Sequence, residues 1–85
     1  PNTANNQGET ALHLAAKLNK ADMIAFLVAN GAMVDAAEGK EKRTPLIAAA
    51  EAGHLSAVKN LLSLGALPNA QDAKGRTAMM HAADR

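Results

Sequence analysis

Cysteine, tryptophan and tyrosine are absent from this 85-residue chain, and phenylalanine occurs once, at Phe26. The lack of cysteine excludes disulfide staples and leaves no thiolate to bind zinc. Charge of one sign is also missing: nine Lys and Arg face eight Asp and Glu, a net +1. No electrostatic surplus is left to drive phosphate binding, so nucleic acid is not an expected partner. No apolar run approaches the length that spans a bilayer, and the chain does not open on a basic-then-apolar leader. A membrane is therefore not expected as a partner, and these absences fit a reducing intracellular compartment, cytoplasm or nucleus. Length sets a further bound, because a chain this short buries only about 60% of the surface it exposes when unfolded.

What is present is an apolar share of 48%, carried largely by Ala and Leu, which rules out a disordered chain and suits close helices packed through small side chains. The sequence also repeats itself. The motifs TALHLAA, TPLIAAA and TAMMHAA begin at Thr10, Thr44 and Thr77, spacings of 34 and 33 residues. A second landmark keeps the same interval, Asn30-Gly31-Ala32 recurring as Leu64-Gly65-Ala66. Pro1 to Gly8 matches Pro68 to Gly75, so the chain starts within a linker and ends at Arg85 within the first helix of a third copy. It reads as a segment of a longer parent array, divided into a linker at 1–7, copy one at 8–38, copy two at 39–71 and a partial copy three at 72–85.

Each copy predicts two short helices joined by a turn. In copy one Thr10 is the N-cap candidate, and Leu12, Leu14, Ala15 and Ala16 supply an apolar face up to about Leu18. After a turn at Asn19-Lys20, Met23, Ile24, Leu27 and Val28 form a stripe that Asn30-Gly31 stops. In copy two Pro45 takes the first helical position, where its missing N–H is harmless. Gly53-His54 makes the turn, and Leu55, Val58, Leu61 and Leu62 repeat the stripe before Gly65. The polar stretches between copies read as protruding turns.

These residues resemble the ankyrin repeat. Gly8-x-Thr10-Ala11-Leu12-His13 and Thr44-Pro45-Leu46 match its opening motif, and Gly53-His54, Val58, Leu61-Leu62 and Gly65-Ala66 match the remainder. The resemblance covers the whole chain and implies an all-α solenoid of helix-turn-helix units with β-turn or hairpin connectors. It further implies an L-shaped stack whose turn tips and first helices form a concave face that binds proteins. Departures are visible: the motif His is present at His13 but replaced by Ile47 and Met80, Gly-His becomes Asn19-Lys20, and Lys42 occupies the loop Gly position. By resemblance, His13 and His54 bond backbone groups. The stretch from Arg43 to Leu67 also resembles ankyrin modules of histone lysine methyltransferases, which grip methylated lysine in an aromatic cage. Phe26 alone, on a predicted core stripe, cannot build that cage.

Chemistry is sparse. His13, His54 and His81 include no pair at i, i+3 or i, i+4, so no metal is expected. Ser56 and Ser63 lie on a helix without the turn that exposes a nucleophile, and the recurring glycines read as helix stops. No catalysis and no cofactor is expected. Met23, Met33, Met79 and Met80 read mostly as core filling. The run Glu38 to Arg43, one residue longer than its counterpart, reads as a solvated loop or, alternatively, as a contact finger.

The expected function is a protein-interaction scaffold that holds a macromolecular partner through the turn tips and the concave helix face. Its alternative is a regulatory or substrate-docking module of a larger enzyme, and a weaker one is a histone-tail reader. By the family pattern, the expected contact residues are Asn6, Gln7, Glu9, Lys17, Leu18, Lys40, Glu41, Arg43, Glu51, Ala52, Lys74 and Arg76.

Overall fold

A computed structural model describes residues 10–35, 37 and 42–83. Five helices follow in order: α1 (Ala11–Lys17), α2 (Ala21–Ala29), α3 (Pro45–Glu51), α4 (Leu55–Ser63) and α5 (Ala78–Ala83). No strand occurs among the described residues. The contacts sort the helices into two rows: α1 packs on α3 and α3 on α5, while α2 packs on α4, and α1–α2 and α3–α4 close each pair.

Helix starts are set by one device used three times. Thr10, Thr44 and Thr77 each accept, through Oγ1, the backbone N–H three residues on, from His13 (3.4 Å), Ile47 (3.3 Å) and Met80 (3.4 Å). Pro45 stands at the start of α3, as its fixed φ favours. Helix ends repeat as well. Ala32 N–H reaches Leu27 C=O at 2.9 Å and Gly31 N–H reaches Val28 C=O at 3.1 Å, and Ala66–Leu61 and Gly65–Leu62 duplicate the pair. This double closure needs a left-handed residue after the helix, supplied by Gly31 at φ 96° and Gly65 at φ 99°. After α1, Asn19 takes that role at φ 57°, which its short amide tolerates. The predicted turn at Asn19-Lys20 is thus present.

The core is a strip of Leu12, Ala15, Ala16, Ile24, Leu46, Ile47, Ala49, Ala50, Ala57 and Leu61, with Ala32, Ala66 and Ala78 at its margins. Alanine dominates because the rows lie close enough that only a methyl fits between them. Several apolar residues expected inside are not. Phe26 is 61% exposed, because α2 turns only Ile24, Leu27 and Val28 toward the core and Phe26 lies on the far side of the helix. Met23, Met33, Met79 and Met80 are all exposed, so the methionines do not fill the core. Leu14, Leu55 and Leu62 are exposed as well, and Leu61 alone carries the buried end of the α4 stripe. The position of Leu12 and Leu46, both buried, is taken in copy three by Met79, which is 76% exposed with no described second helix behind it.

An apolar groove of about 360 Å³ runs between α4 and α5, lined by Leu55, Val58, Leu62, Met79 and Ala82. One repeat earlier the corresponding surface of α2 and α3 is covered by α4. The groove is thus the counterpart, one repeat on, of a face that a helix covers.

Candidate functional site

At the ends of the first-helix row, buried side chains fasten the protruding tips. In copy one, His13 is fully buried, and its Nδ1 accepts the Thr10 backbone N–H at 3.2 Å. That leaves the proton on Nε2, which donates to the Arg43 carbonyl at 2.7 Å, a bond from α1 to the tip of the next copy. The bond that the motif histidine implies therefore exists at His13.

Copy two cannot repeat it, since Ile47 is fully buried and carries no donor. Copy three meets the same need with different residues. Asp72 Oδ1 accepts the backbone N–H of Lys74 and of Arg76, both at 2.9 Å, and Oδ2 lies 3.0 Å from His81 Nε2. Asp72 N–H returns a 2.9 Å bond to the Arg76 carbonyl, and Gly75 N–H bonds the Asp72 carbonyl at 3.0 Å. Burial of this carboxyl, whose side chain is 3% exposed, raises its pKa. The Arg76 amide, the His81 ring, the Lys74 amide and the Arg76 charge outweigh that and hold it at about 2. Asp72 is therefore ionised at neutral pH, so the proton of the Asp72–His81 bond sits on His81 Nε2.

His81 also faces the preceding copy, its Nδ1 lying 4.0 Å from Glu51 Oε2, beyond hydrogen-bond distance. Glu51 Oε1 in turn takes Arg43 Nη1 at 2.6 Å. The result is a row of polar side chains across two copies: Arg43, Glu51, His81, Asp72 and Arg76, the last pair 3.6 Å apart. Among the described residues no group of three or more His, Cys, Asp or Glu is placed to hold a metal ion.

Of the expected contact residues, Arg43, Glu51 and Arg76 meet in this row. Lys74 stands exposed on the Asp72 tip. Lys17 ends α1 at the position Glu51 holds in α3, and Leu18 and Ala52 are the residues that cap those two helices. Asn6, Gln7, Glu9, Lys40 and Glu41 lie outside the described residues, as does most of the run Glu38 to Arg43. Sequence reasoning missed Asp72 and His81, the two residues that organise the site. The signal was present in the Asp72-x-x-x-Arg76 turn ahead of a histidine one residue past the motif position. His54 departs from expectation in the other direction: its side chain makes no capping bond to α4, and its backbone is engaged instead, the N–H with the Ala49 carbonyl at 3.0 Å and the carbonyl with the Val58 N–H at 3.1 Å.

Comparison with known proteins agrees with this geometry. A family model described as ankyrin repeats in three copies matches residues 1–72 and again 34–85. Palmitoyltransferase Hip14 of Drosophila melanogaster is 42% identical over 74 residues, 87% of this chain and 12% of that protein. Ankyrin repeat and SOCS box protein 6 of Homo sapiens is 42% identical over 74 residues, 86% of this chain and 18% of its own length. The B-cell lymphoma 3 protein homolog of Mus musculus is 40% identical over 81 residues, 95% of this chain and 18% of its own. The chain thus spans less than a fifth of the length of these curated relatives. No described helix is long and apolar enough to cross a membrane. With three helix starts capped alike, helix ends closed alike and the family model matched across its length, this chain is a protein-interaction module of the ankyrin-repeat family.

Proposed function

We propose that this module holds its protein partner along the tips and the adjoining ends of the first-helix row, with Lys17, Leu18, Arg43, Glu51, Ala52, Lys74 and Arg76 in contact. One observation carries the reading: the tips are fastened from beneath by His13, Asp72 and His81, while Leu18 and Lys74 stand exposed. A rigid tip loses little conformational freedom when it binds, so each contact contributes nearly its full free energy. In this reading the module acts by binding and not by catalysis, inside the cell, as part of a longer polypeptide.

The test compares the full chain with a Leu18→Glu/Lys74→Glu variant as baits in a cell extract. Both substitutions fall on exposed side chains, so the melting temperature should change little. Loss of the captured proteins at unchanged melting temperature is the expected result. Retention of the same set by the variant overturns the assignment of this surface.

A second reading has support from the relatives, one of which is named a palmitoyltransferase and shares with this chain only 12% of its length. The same surface then serves as the docking arm of an enzyme whose chemistry lies on other parts of the polypeptide. Joining this chain to a candidate catalytic domain and measuring kcat/KM with and without the Leu18→Glu/Lys74→Glu change separates the readings. A fall confined to KM is expected of a docking arm. A histone-tail reader would need an aromatic cage, and Phe26, the single Phe, Tyr or Trp of the sequence, cannot build one.

A further inference from the structure

Charge is nearly balanced over the whole chain but not along it. Among the described tip residues, 42–43 and 72–76 carry four cations and one anion, and the rest of the chain carries five cations and seven anions. The tip anion Asp72 is withdrawn from solvent, its oxygens taken by the Lys74 and Arg76 amides and the His81 ring. Lys42 and Lys74 are exposed, and the Arg76 side chain is 40% exposed, its buried Nε turned toward Asp72 Oδ2 at 3.6 Å. Copy two shows what such an arginine takes, because Arg43 Nη1 already holds the Glu51 carboxylate at 2.6 Å. A guanidinium offers five donors, more than one carboxylate can occupy.

Resting on the surface assigned above, we infer that the tips of copies two and three seat an acidic, extended peptide segment whose carboxylates stand three residues apart. Arg43 and Arg76 occupy equivalent positions of adjacent copies, 33 residues apart in sequence. Their separation is therefore set by the packing of α3 on α5, and packed helices lie about 8–10 Å apart. A chain in the extended polyproline-II form advances about 3.1 Å per residue and turns once every three residues, so three residues cover that interval and leave both carboxylates on the same face. One carboxylate meets Arg76 with Lys74, and the other meets Arg43 with Lys42. Each is a charge-assisted contact on a preformed tip, with Arg able to engage a carboxylate through two parallel N–H groups.

The experiment titrates fluorescent peptides into the full chain. Four probes are used: a Gly/Ser peptide with two glutamates three residues apart, the same peptide with the glutamates adjacent, its glutamine version, and a single-stranded oligonucleotide. The expected result is that the spaced glutamates bind about tenfold more tightly than either control peptide, a difference that shrinks as salt rises. A Lys42→Glu/Lys74→Glu variant, with unchanged melting temperature, should lose the preference. Equal binding of the glutamate and glutamine peptides overturns the inference, as does full binding by the variant. Equal binding of the adjacent-glutamate peptide overturns the spacing, and an oligonucleotide that binds as tightly as the best peptide replaces it with plain polyanion attraction. If these probes fail while captured proteins still depend on Leu18 and Lys74, the acidic class falls and the surface stands. If both fail, the surface falls too.

Discussion

The two junctions between neighbouring copies do the same mechanical job with different chemistry. At the first, a neutral imidazole on α1 reaches forward to the Arg43 carbonyl of the next tip. At the second, Ile47 has nothing to offer that tip, which is fastened instead by its own Asp72 and by His81 on α5. What is shared is the requirement: a buried turn leaves backbone groups that need partners, and any side chain that reaches them suffices. The difference is that the first junction depends on a ring and a carbonyl, the second on an ionised carboxylate.

The comparison is broken most severely at Asp72. Asp72→Ala strips acceptors from two backbone amides and the His81 ring at once, and an unmet buried donor costs about 1–3 kcal/mol. A loss of about 3 kcal/mol is expected, read as a lower melting temperature with early amide exchange over 72–83. For scale, truncating the buried Leu61 to Ala should cost about 2–5 kcal/mol. Acid should imitate the substitution. Because folding lowers this pKa from 3.8 to about 2, its contribution is complete above about pH 4 and is lost as pH falls toward 2. Exchange protection should therefore fade first at Lys74 and Arg76 on acidification, ahead of Arg43. Uniform loss along the chain would contradict a distinct second junction.

His13→Ala comes next. It removes one bond to the Arg43 carbonyl and one acceptor for the Thr10 N–H, and it leaves a ring-sized void. The expected loss is about 2 kcal/mol, with faster exchange around Arg43 and Thr44 and little change at Gly75. Equal loss at both tips would mean that the junctions are not independent.

Most of the architecture was readable from the residues, and the gaps have physical causes. The Thr caps, Pro45, Asn19 and the two Gly stops act within a few residues of themselves, so spacing alone reveals them. Whether Leu61 or Leu62 is buried depends on the angle at which α4 meets its neighbours, and a nine-residue helix leaves a stripe that ambiguous. Phe26 and Met23 on α2 share that ambiguity, whereas Met33 lies outside the helices and Met79 has no described helix behind it. His81 escaped notice because it stands one residue past the motif histidine, and the turn that Asp72 builds brings their side chains together across nine residues. The role proposed for the tips rests on these anchors, which separate the residues that hold the tip from those that stand on it.

Ile47→His sharpens the comparison by turning the second junction into a copy of the first. Thr44 already occupies the position of Thr10, and the carbonyl that the new ring must reach belongs to Arg76, the counterpart of Arg43. That oxygen accepts Asp72 N–H at 2.9 Å and retains a second lone pair. The apolar contacts of a fully buried isoleucine are lost, yet the bonds gained should keep the cost below about 2 kcal/mol, less than Leu61→Ala. The variant should also rescue part of the stability lost in Asp72→Ala. Damage equal to that of Leu61→Ala, with no rescue, would show that copy two does not place residue 47 as copy one places His13.

The smallest expected effect lies in the tips themselves, at a pair of equivalent positions. Gly75 sits at φ 77° and Lys42 at φ 53°, both in the left-handed region. For a residue with a Cβ that conformation costs about 1–2 kcal/mol, whereas glycine adopts it freely. Lys42→Gly relieves that strain but gives the unfolded chain extra freedom, worth about 0.5–1 kcal/mol against folding. The balance is a gain of about 0.5–1 kcal/mol, measurable as a small rise in the denaturant midpoint at unchanged slope. Gly75→Lys should lose a similar amount, although no atom lies within 4 Å of the added Cβ, because the penalty is conformational and not steric crowding. A lysine is thus held in a glycine's place, and the acidic probes give that strain a use. If Lys42→Gly stabilises the chain and also weakens the spaced-glutamate peptide, the second tip trades stability for a cation. If it stabilises without touching binding, Lys42 is strained for no gain, and Arg43 carries that end of the surface alone.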